Sequence, residues 1–176
     1  MKTLQTLLAA FALSSLPGTS SPDTAKTDNP ISILDRHEIL DLLSRYSHTW
    51  DSKDARGWSD LFVKDGVWAN YFEGTVNQSL RSNRERLTFA KELQGSFRKR
   101  GVVTRHHQTN TLLTKDTDGS IRGETVFSVI WQYASDPVPK LMHSGIYRDL
   151  YVKTKHGWRF KLREVRFDHK LVENKK

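Results

Sequence analysis

The residues best suited to chemistry lie together in Thr104-Arg105-His106-His107-Gln108-Thr109-Asn110. Imidazole is the side chain whose ordinary pKa lies near neutrality, so a histidine pair offers a proton acceptor at physiological pH. The stretch opens a β-type run from Val102 to Thr114. Successive side chains of a strand point to opposite faces, so His106 and His107 cannot enter one pocket together. His106 would share its face with Thr104, Gln108, Asn110 and Leu112, and His107 with Val103, Arg105, Thr109 and Leu113. Alternation alone leaves open which of the two is inside.

A histidine base works best when a carboxylate orients it and stabilises the imidazolium. Asp51 can supply that group from the end of the first helix, if that end leans over the sheet. Tyr46 can donate a hydrogen bond to a substrate oxygen. Arg166, near the end of the last strand, can steady an oxygen where negative charge develops. Tyr46 and Asp51 are five residues apart, which is about 140° around a helix. They share a face only if the helix loosens near Trp50. Trp50, Tyr71, Phe127, Val129 and Trp131 either line a pocket or fill the core.

Other chemistries find little support. The two histidines point opposite ways, and no His-x-His or Glu-x-x-His spacing accompanies them, so no metal site is expected. There is no cysteine, which removes disulfides, thiolate ligands and a cysteine nucleophile. Neither a phosphate-cradling glycine loop nor a Gly-x-Ser-x-Gly elbow is present. No cofactor is expected. The net charge is +8, but the basic residues are scattered, with the densest cluster at Arg98-Lys99-Arg100. Charge of this kind speaks of solubility and non-specific association, and no nucleic-acid partner is expected.

The elements that must position these residues are legible in order. Helical spacing of Leu34, Ile39, Leu42, Leu43 and Tyr46 predicts a first helix from Ile31, capped by Ser32 or Asp35 and broken at Asp51-Ser52-Lys53-Asp54. A short helix follows over 55–62, then a turn at Lys64-Asp65-Gly66, a strand over 67–72 and a turn at Glu73-Gly74. Ser82 with Glu85 forms a capping box for a third helix that Gly101 ends. The rest reads as strand: 102–114, 121–134, 141–154 and 158–167, with Asp-Gly at 118–119 suiting a hairpin. Three helices followed by a meander of long strands is an α+β pattern. Such a sheet, curled and closed on one side by helices, makes a cone with an internal pocket. Eight Phe, five Tyr and five Trp supply bulky core material.

One domain is the default for 176 residues. Residues 1–20 read as a signal peptide: Lys2, an apolar stretch from Leu4 to Leu16, then small residues and a proline. That stretch is too short for a membrane span of about 20 residues. A secreted or periplasmic location follows. Residues 21–30 read as a linker, 31–170 as the domain and 171–176 as a basic tail. Asn77-Gln78-Ser79 is a glycosylation sequon.

Several of these pieces resemble one family. They are Tyr46-x4-Asp51-Ser52-Lys53-Asp54-x3-Trp58-x2-Leu61-Phe62, Asp65-Gly66, Arg105-His106-His107-x-Thr109-Asn110, Gly145-x-Tyr147-x-Asp149 and His156-Gly157-Trp158-Arg159-Phe160. In their order and spacing they are similar to the SnoaL-like group of the nuclear transport factor 2-like superfamily. That superfamily includes scytalone dehydratase, a hexachlorocyclohexane dehydrochlorinase and a bile acid dehydratase. The resemblance implies a cone-shaped α+β barrel, a curved antiparallel sheet with three N-terminal helices enclosing a pocket, often in a homodimer. It also implies an Asp at the end of the first helix paired with a strand His, and these stand at Asp51 and His106. Tyr46 and Arg166 fit the positions of the Tyr and late Arg of the bile acid dehydratase. Scytalone dehydratase has a second pocket His, where Trp131 stands here. Its pocket Asn falls at Ile146 or Tyr147.

The expected function is therefore a cofactor-independent lyase or isomerase of the dehydratase type, acting on a small hydrophobic cyclic molecule. His106, Asp51, Tyr46 and Arg166 would be catalytic. Trp50, Tyr71, Asn110, Phe127, Val129, Trp131 and Tyr147 would bind substrate. The alternatives are a non-catalytic carrier using the same cone, and a protein-interaction domain whose pocket is plugged by Trp50, Tyr71 and Trp131.

Overall fold

The computed structural model describes residues 30–168. The expected signal peptide, nearly all of the linker and the basic tail lie outside the described residues. Three helices precede or interrupt a six-stranded sheet of order β2-β1-β6-β5-β4-β3. Helix α1 spans Ile33–Asp51, α2 Ala55–Ser59 and α3 Asn83–Lys99. The strands are β1 Phe62–Phe72, β2 Thr75–Leu80, β3 Val103–Lys115, β4 Ile121–Gln132, β5 Lys140–Thr154 and β6 Gly157–Phe167. No helix among the described residues is long and apolar enough to cross a membrane.

The four long strands β3 to β6 pair antiparallel in chain order, as the meander predicts. The sheet is nevertheless mixed, because β1 adds to β6 in parallel, and β2 then folds back on β1. β2 and β3 are left at opposite ends, so the sheet curves without closing. Strand β2 is not predicted by the sequence: Thr75–Leu80 is polar and buries only Leu80 well. The turn expected at Lys64-Asp65-Gly66 is a bulge inside β1, where pairing with β6 skips from Phe62 to Val67. The buried Arg86 guanidinium of α3 caps this irregularity, donating to the Gly66 and Val63 carbonyls that the ladder leaves unpaired.

The helices begin where capping chemistry places them. Ser32 Oγ accepts the Asp35 N–H at 3.0 Å, and Ser82 Oγ accepts the Glu85 N–H at 3.2 Å. Asp35 does a second task. Its Oδ1 accepts Lys153 Nζ at 2.7 Å and Trp158 Nε1 at 2.9 Å, tying the start of α1 to the β5–β6 hairpin. At its other end α1 stays regular through Asp51, with the Ser52 N–H bonded to the His48 carbonyl, and does not loosen near Trp50. Asn or Gly is the usual residue at positive φ, but here Lys53 (φ 64°) turns the chain into α2.

Between α1 and the concave sheet face lies an aromatic core of Tyr46, Trp50, Trp58, Phe62, Trp68 and Phe160. Below it a buried ion pair joins the strands. Arg163 Nε and Nη2 each donate to Asp149 at 2.8 Å, and the Tyr151 hydroxyl donates to the same carboxylate at 2.6 Å. The guanidinium lies 4.1 Å from the Tyr46 and Tyr147 ring centroids and 4.3 Å from that of Phe160. Burial opposes its charge, but the Asp149 charge and hydrogen bonds outweigh burial and hold Arg163 protonated.

Candidate active site

Strand parity decides the first question left open by the sequence. His106 lines the interior cavity, whereas His107 is exposed on the outer face. The end of α1 meets β3 here. His106 Nδ1 lies 2.6 Å from Asp51 Oδ1, the His106 backbone N–H donates to Asp51 Oδ2 at 2.9 Å, and Thr104 Oγ1 donates to Oδ1 at 2.8 Å. Both side chains of the pair are 11% exposed. Burial raises the Asp51 carboxyl, but the His106 ring, its charge, its backbone N–H and Thr104 together hold it below the ordinary carboxylate value. An ionised carboxylate can only accept, so Nδ1 carries a proton, and in the neutral ring it is Nε2 that presents the lone pair. Asp51 is not on the cavity wall. It approaches His106 from behind, so it need not share a helical face with Tyr46.

Tyr46 enters the same cavity from the middle of α1 and is 4% exposed. Its Oη accepts Trp68 Nε1 at 3.0 Å, which leaves the hydroxyl proton free to donate. Burial raises its pKa, although the nearby Arg163 charge pulls the other way, so the phenol stays protonated.

The cavity holds about 280 Å³, at the small end of ligand sites. Trp50, Phe127, Val129, Trp131 and Tyr147 stand on its wall. Phe89, Phe97 and Phe167 add to the apolar lining, and Asn70 and Asn77 to its polar part. Asn77, the sequon residue, donates its side-chain N–H to Asn70 Oδ1 at 3.3 Å.

Three expected residues are not brought to the pocket. Val165 and Phe167 face inward, so Arg166 between them faces out. There it pairs with Glu164 at 2.7 Å and lies 4.4 Å from the Tyr71 ring centroid. Tyr71 is outside for the same reason, since Asn70 and Phe72 line the cavity. Asn110 sits at φ 53° in a β-bulge where the pairing of β3 with β4 skips from Thr109 to Leu112. The bulge changes which residues face in. Thr104, His106 and Gln108 face inward before it, and Thr111 and Leu113 after it, leaving Leu112 71% exposed. Asn110 is exposed on the far side of this change.

Two features escaped the sequence reading. Arg163 supplies the buried cation that Arg166 was expected to be, beneath the Tyr46 ring and not in the cavity. The inward residues Val165 and Phe167 share its parity, which was the available signal. His143 also lines the cavity, and the alternation that turns Tyr147 inward turns His143 inward too. Among the described residues no group of three or more His, Cys, Asp or Glu side chains could hold a metal ion.

An open, curved α+β sheet with helices across its concave face thus carries an imidazole on its pocket wall, backed by a carboxylate. The chain belongs to the SnoaL-like domain family, which matches residues 32–164. Among solved structures it is similar to a variant of Rv3472 from Mycobacterium tuberculosis, a protein of unknown function. That match has TM-score 0.62 and 28% identity, and covers 77% of this chain and 72% of that one. A nuclear transport factor 2-like protein with a cystatin-like fold from Novosphingobium aromaticivorans matches with TM-score 0.64 and 22% identity, over 77% of this chain and 83% of that one. Another protein of that bacterium, which carries the provisional name scytalone dehydratase, matches with TM-score 0.66 and 21% identity, over 80% of this chain and 89% of that one. These likenesses establish the fold. No curated protein matches the chain.

Proposed function

We propose that this protein is a cofactor-independent lyase or isomerase of the dehydratase type, acting on a small hydrophobic cyclic substrate. The observation that carries the reading is the 2.6 Å contact of Asp51 with His106 Nδ1, on a ring that lines the apolar cavity. His106 Nε2 removes a proton α to a carbonyl or β to a leaving group. Asp51 fixes the tautomer and offsets the charge that the ring then gains. Tyr46 donates its hydroxyl proton to the substrate oxygen where electrons accumulate. Membership of the SnoaL-like family and the likeness to a protein named for scytalone dehydratase support this class of reaction. General acid–base help of this kind is worth about 10²–10⁴-fold. The homodimer implied by the resemblance is part of the same proposal, and light scattering on the purified protein tests it.

The test is proton exchange in D₂O, followed by NMR, across a panel of cyclic hydroxyketones, enols and steroids. The wild-type protein is expected to exchange or eliminate at least one of them, and His106→Ala to lose that activity by about 10²-fold or more. Full activity in His106→Ala on such a substrate sinks the assignment. Tight binding without turnover, unaffected by Asp51→Asn, would instead mark a carrier.

A further inference from the structure

Across the cavity from His106 stands a second imidazole that the proposed chemistry does not use. His143 on β5 is the register partner of Val129 on β4, and Val129 is the partner of His106 on β3. The three side chains form one cross-strand row, so both imidazoles rise from the same face of the sheet. Two strand spacings of about 4.8 Å put their Cα atoms roughly 10 Å apart, room for a substrate functional group between the rings.

The surroundings of His143 fix its ring without using its nitrogens. Trp131 and Phe167 meet it edge to face, with ring centroids 5.4 and 5.3 Å away. Neither ring nitrogen has a hydrogen-bond partner among the described residues. A half-buried imidazole whose nitrogens are not sealed from solvent, on the wall of an apolar cavity, can hydrogen-bond a polar group on a ligand.

We propose that His143 contacts the substrate directly, donating one ring N–H to an oxygen of the molecule whose proton His106 removes. The proposal rests on the reading of His106 as the base. It gives His143 the place at the developing oxyanion that Arg166, on the outer face, does not fill. No proton leaves His143, so the proton balance of the reaction is unchanged.

The character of the pocket supports an uncharged donor. Burial lowers the pKa of His143, and the charge of His106 acts in the same direction. Among the described residues, the titratable groups facing it are His106 from β3, Tyr46 from α1 and Tyr147 from β5, and none of the described residues places an Asp, Glu, Lys or Arg side chain on the cavity wall. A neutral donor suits an oxygen that becomes negative only during the reaction. The wall that the described residues form is aromatic and uncharged, which favours a neutral ligand. A carboxylate or phosphate would enter without a counter-charge, whereas a flat, neutral ring bearing a carbonyl or hydroxyl meets aromatic walls and hydrogen-bonding groups.

Two probes of the same outline test this on the full chain: 2-naphthol, and 2-methylnaphthalene, which has no oxygen. The quantity read is the ratio of their Kd values from tryptophan fluorescence. Wild-type protein is expected to prefer 2-naphthol by about tenfold, the value of a hydrogen bond or two. His143→Phe keeps the ring and its packing, and should lower the ratio to about threefold or less, the remainder coming from Tyr46, with 2-methylnaphthalene binding little changed. His143→Gln, which restores a donor, should recover part of the preference. A wild-type protein that binds both probes alike, or neither, overturns the proposal, as does a His143→Phe protein that keeps the preference. The base role of His106 is read separately, from proton exchange, so either reading can fail without the other.

Discussion

Asp51 holds His106 twice, accepting its ring Nδ1–H at 2.6 Å and its backbone N–H at 2.9 Å. The second contact explains why the first is so well directed. The carboxylate is tied to the strand that carries the imidazole, so helix end and ring move as one body. Asp51→Asn keeps the shape but offers a neutral amide in place of the charge. We expect proton abstraction to fall by about 10²-fold or more, with probe binding changed less than threefold, because the lone pair at Nε2 is then no longer assured. Turnover and Kd measured side by side on the two proteins check this.

The same carboxylate makes stability depend on pH. Its folded pKa lies below the ordinary value, so its contribution is fully present above about pH 4 and is lost as pH falls through the lower folded value. Thermal melts of wild type and Asp51→Asn between pH 7 and pH 2 should show the wild-type curve falling more steeply below about pH 4. Parallel curves would mean that the carboxylate gains nothing from its three donors.

The two arginines of β6 should behave in opposite ways. Arg166→Ala removes a partly buried ion pair with Glu164 and a contact with the Tyr71 ring on the outer face, and should cost no more than about 1 kcal/mol of stability while activity is unchanged. Arg163→Met leaves the Asp149 carboxylate buried without its partner, and should cost about 3–5 kcal/mol of stability. Urea unfolding of the two variants, with activity measured on the same samples, distinguishes them.

Tyr46→Phe separates donation from packing. The ring contacts with Trp58, Tyr147 and Phe160 survive, but Trp68 Nε1 loses its acceptor. Stability should fall by about 1–2 kcal/mol, and kcat by about 10–10²-fold with little change in KM if the hydroxyl acts on developing charge. An unchanged kcat would leave Tyr46 as a structural residue.

Much of this molecule is written in local pattern. The long alternations of β3 to β6, the Ser caps and the helical spacing around Tyr46 each depend on near neighbours and are readable in the chain. What was hidden is non-local or single-residue. The parallel docking of β1 on β6 joins segments far apart in sequence, and nothing in 62–72 announces it. β2 is a polar edge strand that looks like loop. Arg166 lies near the end of the last strand but has the wrong parity: the inward residues of β6 are Arg163, Val165 and Phe167. His143 carries no motif of its own, and only its even spacing from Tyr147 on β5 signals that it faces inward. Asn110 was placed inside because strict alternation was carried through a bulge.

That bulge makes β3 a strand in two halves with different inward parity. Upstream of Asn110, even-numbered residues hold the pocket; downstream, odd-numbered residues hold the core. Removing Asn110 would restore plain alternation with Gln108, Thr111 and Leu113 still inward, whereas straightening the bulge with Asn110 kept would bury Leu112 and expel Leu113. The irregularity therefore works as a junction between two reading registers. One strand thus serves two frames, an even one that carries the imidazole and an odd one that packs Leu113 against the core.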